Sequence, residues 1–105
     1  MREIEVEELA LWRRDGRDFV LLDVREDDEV RTASIEGAQH IPLRDVPARK
    51  HELHKDAQIV VMCHHGGRSA RVVEFLTAQG YDGAINLNGG INEWSKKIDP
   101  SVPRY

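Results

Sequence analysis

One stretch of this sequence concentrates residue types able to do chemistry: Cys63-His64-His65-Gly66-Gly67-Arg68-Ser69, which holds the only cysteine of the 105-residue chain. It follows the apolar run Ile59-Val60-Val61-Met62, so the thiol stands where a strand ends, the usual place for ligands in open α/β sheets. Gly66 and Gly67 can take positive φ, letting successive N–H groups turn inward as an anion-binding nest, and a helix starting just beyond adds partial positive charge. Such a cradle favours thiolate over thiol. Arg68 supplies a full charge beside it, with His64 and His65 as further partial donors. A lone cysteine ending a strand is ordinarily an inert, buried hydrophobe. Two His, two Gly, an Arg and a Ser directly after it have no packing rationale, whereas an anion-holding loop needs this composition.

The elements that must position this loop are legible as short runs. Phe19-Val20-Leu21-Leu22, His40-Ile41 and Ala84-Ile85-Asn86-Leu87 join Ile59–Met62 as candidate strands, and Met1 to Ile4 can add an edge strand. Phe19–Leu22 and Ile59–Met62 are continuously apolar, as for strands covered on both faces of a parallel sheet. Val6 to Arg14 carries Val6, Leu9, Ala10 and Trp12 at helical spacing and stops at Asp15-Gly16. The clearest helix runs from Ser69, the expected N-cap, to Gln79, with Ala70, Val73 and Leu76 on one side and Tyr81 placed to pack back after Gly80. Glu26 to Glu29 suits a helix N-terminus. Pro42 to Asp56 reads as a loop with a short helix near Ala48 to Leu53, and the tail Ile98 to Tyr105, with Pro100 and Pro103, as a segment wrapping the surface. This alternation predicts an α/β fold: a mostly parallel central sheet of about five strands, flanked by helices on both faces.

Composition bounds what such a fold could be. A chain of this length buries roughly 65% of its unfolded surface, enough for one core, so residues 1–105 are expected to form a single domain. Fifteen Lys and Arg stand against 19 Asp and Glu, a net charge of −4, and the charges are interspersed; no nucleic-acid partner is expected. One cysteine permits neither a disulfide framework nor a four-cysteine zinc site. Joining Cys63 with His64, His65, His40, His51 or His54 gives no known ligand spacing, so no metal is expected. The charged start, from Arg2 to Arg14, lacks a signal-peptide core, and no apolar run approaches the ~18 residues of a membrane span. No membrane partner and a cytoplasmic setting are the expectation.

Four segments, in order, resemble the rhodanese-like sulfurtransferases, specifically their small single-domain kind. They are Leu21-Leu22-Asp23-Val24-Arg25-Glu26 followed by Glu29, Glu36-Gly37-Ala38-Gln39-His40-Ile41-Pro42-Leu43, the loop Cys63 to Ala70, and Gly80-Tyr81 with Leu87-Asn88-Gly89-Gly90-Ile91 and Trp94. One departure is Ala33-Ser34-Ile35 where the family commonly has Gly-His-Ile; Ala tolerates positive φ less well than Gly, so that turn is expected to differ. The resemblance implies a single rhodanese-like domain and covalent, ping-pong sulfur transfer without a cofactor. The Cys63 thiolate would take the outer sulfur of thiosulfate or another small-molecule sulfane donor as a persulfide. It would then pass that sulfur to cyanide, an external thiol or a protein acceptor, since no second cysteine exists to resolve it.

Around Cys63, Arg68 is the candidate for binding an anionic donor, with a salt bridge to Glu74 or another acidic segment as the alternative. His64 and His65, being adjacent, are expected to diverge, and Cys63 to be partly exposed. Asp23 and Arg25 are assigned a supporting role, with Glu29 a candidate partner for Arg25. Gly89-Gly90 is expected to make a tight turn beside the loop, and Trp12 and Trp94 to pack. A phosphatase or arsenate reductase on the same fold is the rival enzyme. Phosphatases of this kind place five residues between Cys and Arg, so that the Arg forks onto a tetrahedral anion, and here there are four. The non-enzymatic rival is a module acting through a protein partner, either without catalysis or as a sulfur carrier.

Overall fold

The computed structural model describes residues 1–105. Five parallel strands, β1 (Glu3–Ile4), β2 (Val20–Asp23), β3 (Gln39–His40), β4 (Ile59–Met62) and β5 (Ala84–Leu87), form one sheet in the order β1-β5-β4-β2-β3. Helices α1 (Val6–Arg14), α2 (Asp27–Thr32), α3 (Val46–Arg49), α4 (Gly67–Ala78) and α5 (Gly90–Lys97) accompany it, and α3 is flanked by 3-10 turns at Leu43–Asp45 and Lys50–Glu52. The predicted α/β class and parallel sheet are therefore observed. Helix α3 begins earlier than the Ala48 expected, because Pro47 suits a first helical turn. Strand β3 starts one residue sooner than expected, at Gln39.

Each central strand feeds two cores, because successive side chains alternate between the faces of a sheet. Val60 and Met62 of β4 join Leu9, Trp12, Ile91 and Trp94 on the side of α1 and α5. Ile59, Val61 and Cys63 join Val72, Val73, Leu76 and Tyr81 on the side of α4. Both faces are fully covered, which is why the strand could be continuously apolar. The two tryptophans pack, as the sequence suggested.

Helix ends follow the local chemistry closely. Tyr81 N–H donates to the Leu76 carbonyl (2.9 Å) and Gly80 N–H to Thr77 (3.1 Å), so the last carbonyls of α4 are satisfied while the Tyr81 ring enters the core. At the other end of α4 the cap is Gly66, not Ser69, which instead lies within the first turn. The acidic run does start α2, with the Glu29 carboxylate reaching back to the Glu26 N–H (3.0 Å). Ala33 has φ −156°, ordinary extended backbone, so the turn expected to suffer from losing glycine demands no positive φ. The tail does more than wrap the surface: Val102 is buried, and its carbonyl accepts the Ser95 hydroxyl.

Candidate active site

The chain leaves β4 at Cys63 and turns at Gly66 to start α4. Gly66 has φ +117°, a conformation that requires glycine, whereas Gly67 does not adopt positive φ and is simply the first helical residue. This turn aims the Gly66 N–H at Cys63 Sγ, 3.1 Å away. The buried Ser69 hydroxyl lies 3.4 Å from the same sulfur and 2.6 Å from Asn86 Oδ1, while Asn86 Nδ2 donates to the Gly66 carbonyl (3.2 Å). Two loop carbonyls turn the other way: Cys63 and His64 accept the N–H groups of Ile91 and Asn92, in the first turn of α5, at 3.0 and 3.1 Å. Gly90 makes that docking feasible, because a Cβ there would stand 2.4 Å from the Cys63 carbonyl oxygen and 2.6 Å from that of His64.

Cys63 is 1% exposed, not partly exposed as expected, and lines none of the surface cavities. Burial pushes the thiol up, but the Ser69 hydroxyl and the N–H groups of Ser69, Gly66 and His65 outweigh it, and Cys63 lies below the ordinary thiol value. The loop is thus arranged to carry negative charge on sulfur.

Arg68 flanks this cradle but grips a carboxylate. Its Nη1 and Nη2 donate to Glu29 Oε1 and Oε2 at 2.6 and 2.9 Å, a bidentate pair spanning 39 positions. The acidic partner is therefore Glu29 of α2 and not Glu74. Arg68, helped by the Glu26 N–H and the Tyr105 hydroxyl, holds Glu29 down at about 2 despite its burial, and Glu29 in turn raises Arg68. His64 and His65 do not diverge: their ring centroids are 3.9 Å apart, and the Tyr105 ring stacks on His64 at 3.9 Å and 5°. Burial, followed by the neighbouring His65, lowers His64.

Behind the loop, at the end of β2, Arg25 is 0% exposed and Asp23 is 1% exposed. Arg25 Nε and Nη2 donate to the two Asp23 oxygens at 2.9 and 2.7 Å. The remaining N–H groups reach the carbonyls of Ala33 (2.7 Å) and Glu29 (3.3 Å) and the Tyr105 hydroxyl (2.8 Å). Glu29 therefore meets Arg25 through its backbone, its carboxylate being engaged by Arg68. Three contributors escaped the sequence reading: Asn86, Tyr105 and the carboxylate of Glu29 as the partner of Arg68. Of these only Asn86 left a signal, an amide inside an otherwise apolar strand. No three His, Cys, Asp or Glu side chains converge on a point that could hold a metal ion.

A parallel five-stranded α/β sheet with a cysteine-headed amide loop after its central strand defines a class, and comparison with known proteins gives the family. The chain belongs to the Rhodanese-like domain family, which it matches over residues 5–97. It is 34% identical over 102 residues to a sulfurtransferase of Allochromatium vinosum, covering 97% of this chain and 95% of that protein. It is 37% identical to the chloroplastic Rhodanese-like/PpiC domain-containing protein 12 of Arabidopsis thaliana, spanning all of this chain but only 38% of that longer protein. Among solved structures, a rhodanese-like domain protein from Staphylococcus aureus superposes with a TM-score of 0.88 at 30% identity, over 100% of this chain and 99% of that one. Sulfur transfer is thus supported for this chain at the level of its family.

Proposed function

We propose that residues 1–105 act as a single-domain sulfurtransferase in which Cys63 is the catalytic residue and carries sulfane sulfur as a persulfide, with thiosulfate a competent donor. The observation that carries this reading is the convergence of the Gly66 N–H and the Ser69 hydroxyl on Sγ. In the first step the Cys63 thiolate attacks the outer sulfur of thiosulfate; a new S–S bond forms, the old one breaks, and sulfite leaves with the electron pair. In the second step cyanide, a thiol or a protein nucleophile attacks the outer persulfide sulfur and returns the pair to Cys63 as thiolate. Each anionic state of the sulfur is stabilised by fixed dipoles, and neither step requires a general acid or a cofactor. His64, His65, Gly66, Gly67, Arg68 and Ser69 form the anion-binding loop, with Asp23 and Arg25 as its support. A reducing compartment such as the cytoplasm suits a free thiolate. No helix is long and apolar enough to cross a membrane.

Phosphoryl chemistry is the weaker reading, for a specific reason. The two terminal nitrogens that would fork onto a phosphoryl group are the ones Arg68 spends on Glu29. Intact-protein mass spectrometry tests the proposal: incubation with thiosulfate is expected to add one sulfur atom, cyanide to remove it, and Cys63→Ser to abolish the gain. Failure to load from thiosulfate and from a second sulfane donor would overturn it.

A further inference from the structure

Tyr105 lies 42 positions beyond Cys63, in the tail that follows α5, yet it meets the loop twice. Its ring stacks on His64. Its oxygen accepts from Arg25 Nη1 and its hydroxyl donates to Glu29 Oε2, both at 2.8 Å. One phenol thereby joins the buried Asp23–Arg25 pair to the loop-side Glu29–Arg68 pair. Glu29 receives four donors in all: two from Arg68, the Glu26 N–H and Tyr105. A carboxylate so divided offers little charge to anything else, and a guanidinium gripping it bidentately is held in one orientation with its remaining N–H groups free. Arg68 is the cation beside a sulfur that must meet anions. Whatever fixes Glu29 therefore sets the field an incoming anion meets.

We propose that Tyr105 is a positioning residue for anion capture, acting through Glu29 to fix Arg68 beside the Cys63 loop. This rests on reading Cys63–Ser69 as an anion-binding loop. Removing the hydroxyl takes one of four donors from Glu29, leaving more carboxylate charge facing the loop and Arg68 less firmly placed. Both changes disfavour an anion approaching Cys63, and neither bears on a neutral reagent. The phenol stays protonated at neutral pH, since burial first of all raises it.

Tyr105→Phe tests this while keeping the ring on His64. Alkylation of Cys63 by anionic iodoacetate is compared with alkylation by neutral iodoacetamide, so that changes in thiolate content cancel in the ratio. The ratio is expected to fall about threefold, the scale of one partly exposed charge interaction, and the KM for thiosulfate to rise by a similar factor at unchanged kcat. Placed on Glu29→Gln, Tyr105→Phe is expected to leave the ratio where Glu29→Gln alone puts it, because the route runs through that carboxylate. An unchanged or higher ratio in the single variant, or a further drop in the double, would overturn the proposal. The alkylation ratio needs no sulfur transfer. A lowered ratio in a protein that thiosulfate never loads sustains the role of Tyr105 and sinks the sulfurtransferase reading; an unmoved ratio in a protein that loads does the reverse.

Discussion

Strands β2 and β4 end side by side, with Asp23 opposite Met62, and both run into polar residues that a hydrophobic sheet would not need. Beyond β2 lies a closed account of hydrogen bonds, in which Arg25 directs donors to Asp23, Glu29, Ala33 and Tyr105 and is wholly buried. Beyond β4 the bonding is open: sulfur is a weak acceptor, and one of its donors, Ser69, stands closer to Asn86 than to the sulfur. A saturated buried ion pair fixes a shape, while an incompletely satisfied anion cradle retains capacity for a reactant. The same C-terminal end of the sheet thus holds a saturated ion pair and an open anion cradle, and hydrogen-bond completeness, more than residue type, separates them.

That contrast can be broken most forcefully at the ion pair. Arg25→Met leaves Asp23 buried and unpaired, which is expected to cost about 3–5 kcal/mol in urea unfolding; a loss below about 1 kcal/mol would show that this pair does not fix the shape of the β2 end. Gly90→Ala attacks the seam between loop and helix. With φ +58° and carbonyl oxygens too close for a Cβ, it is expected to cost about 1–3 kcal/mol and to slow iodoacetamide alkylation of Cys63 even in folded protein. Wild-type alkylation kinetics after such a change would mean that the loop does not depend on α5.

Ser69→Ala sharpens the reactive side alone. Removing the hydroxyl is expected to raise the Cys63 thiol and slow its alkylation at pH 7 several-fold, the scale of one hydrogen bond, with the pH-rate profile displaced to higher pH. The smallest effect concerns acid. Glu29 is held down at about 2 from an ordinary 4.5, so its folded-state value lies below its unfolded one. Its contribution to stability is complete above about pH 4.5 and disappears as pH falls toward 2. Glu29→Gln is expected to flatten the stability-against-pH curve in that window and leave its slope near pH 7 untouched.

The strands, the parallel sheet and the loop at Cys63 were readable from the sequence because each is a local pattern: a continuous apolar run, a glycine pair after a strand, a lone thiol among polar residues. What escaped depends on where distant backbone comes to rest. No spacing rule links Arg68 to Glu29, or Tyr105 to either, and prolines at 100 and 103 erase periodicity from the tail. Ser69 has the residue type of an N-cap, yet the left-handed turn at Gly66 starts the helix early and frees the hydroxyl to face the sulfur. Burial of Cys63 was equally hidden, since it follows from how Val72, Val73, Leu76 and Tyr81 close over the α4 face of the sheet.

The alternation of β4 between two cores also says where this chain can change length. Val60 and Met62 face one side of the sheet, Ile59, Val61 and Cys63 the other. Adding or deleting one residue between Ile59 and Met62 would reverse every later side chain and carry the sulfur through the sheet, away from Gly66 and Ser69. An insertion in the exposed turn around Lys55 and Asp56 would leave that parity intact. Four residues of strand therefore act as a ruler with two settings, only one of which puts the thiol in its loop.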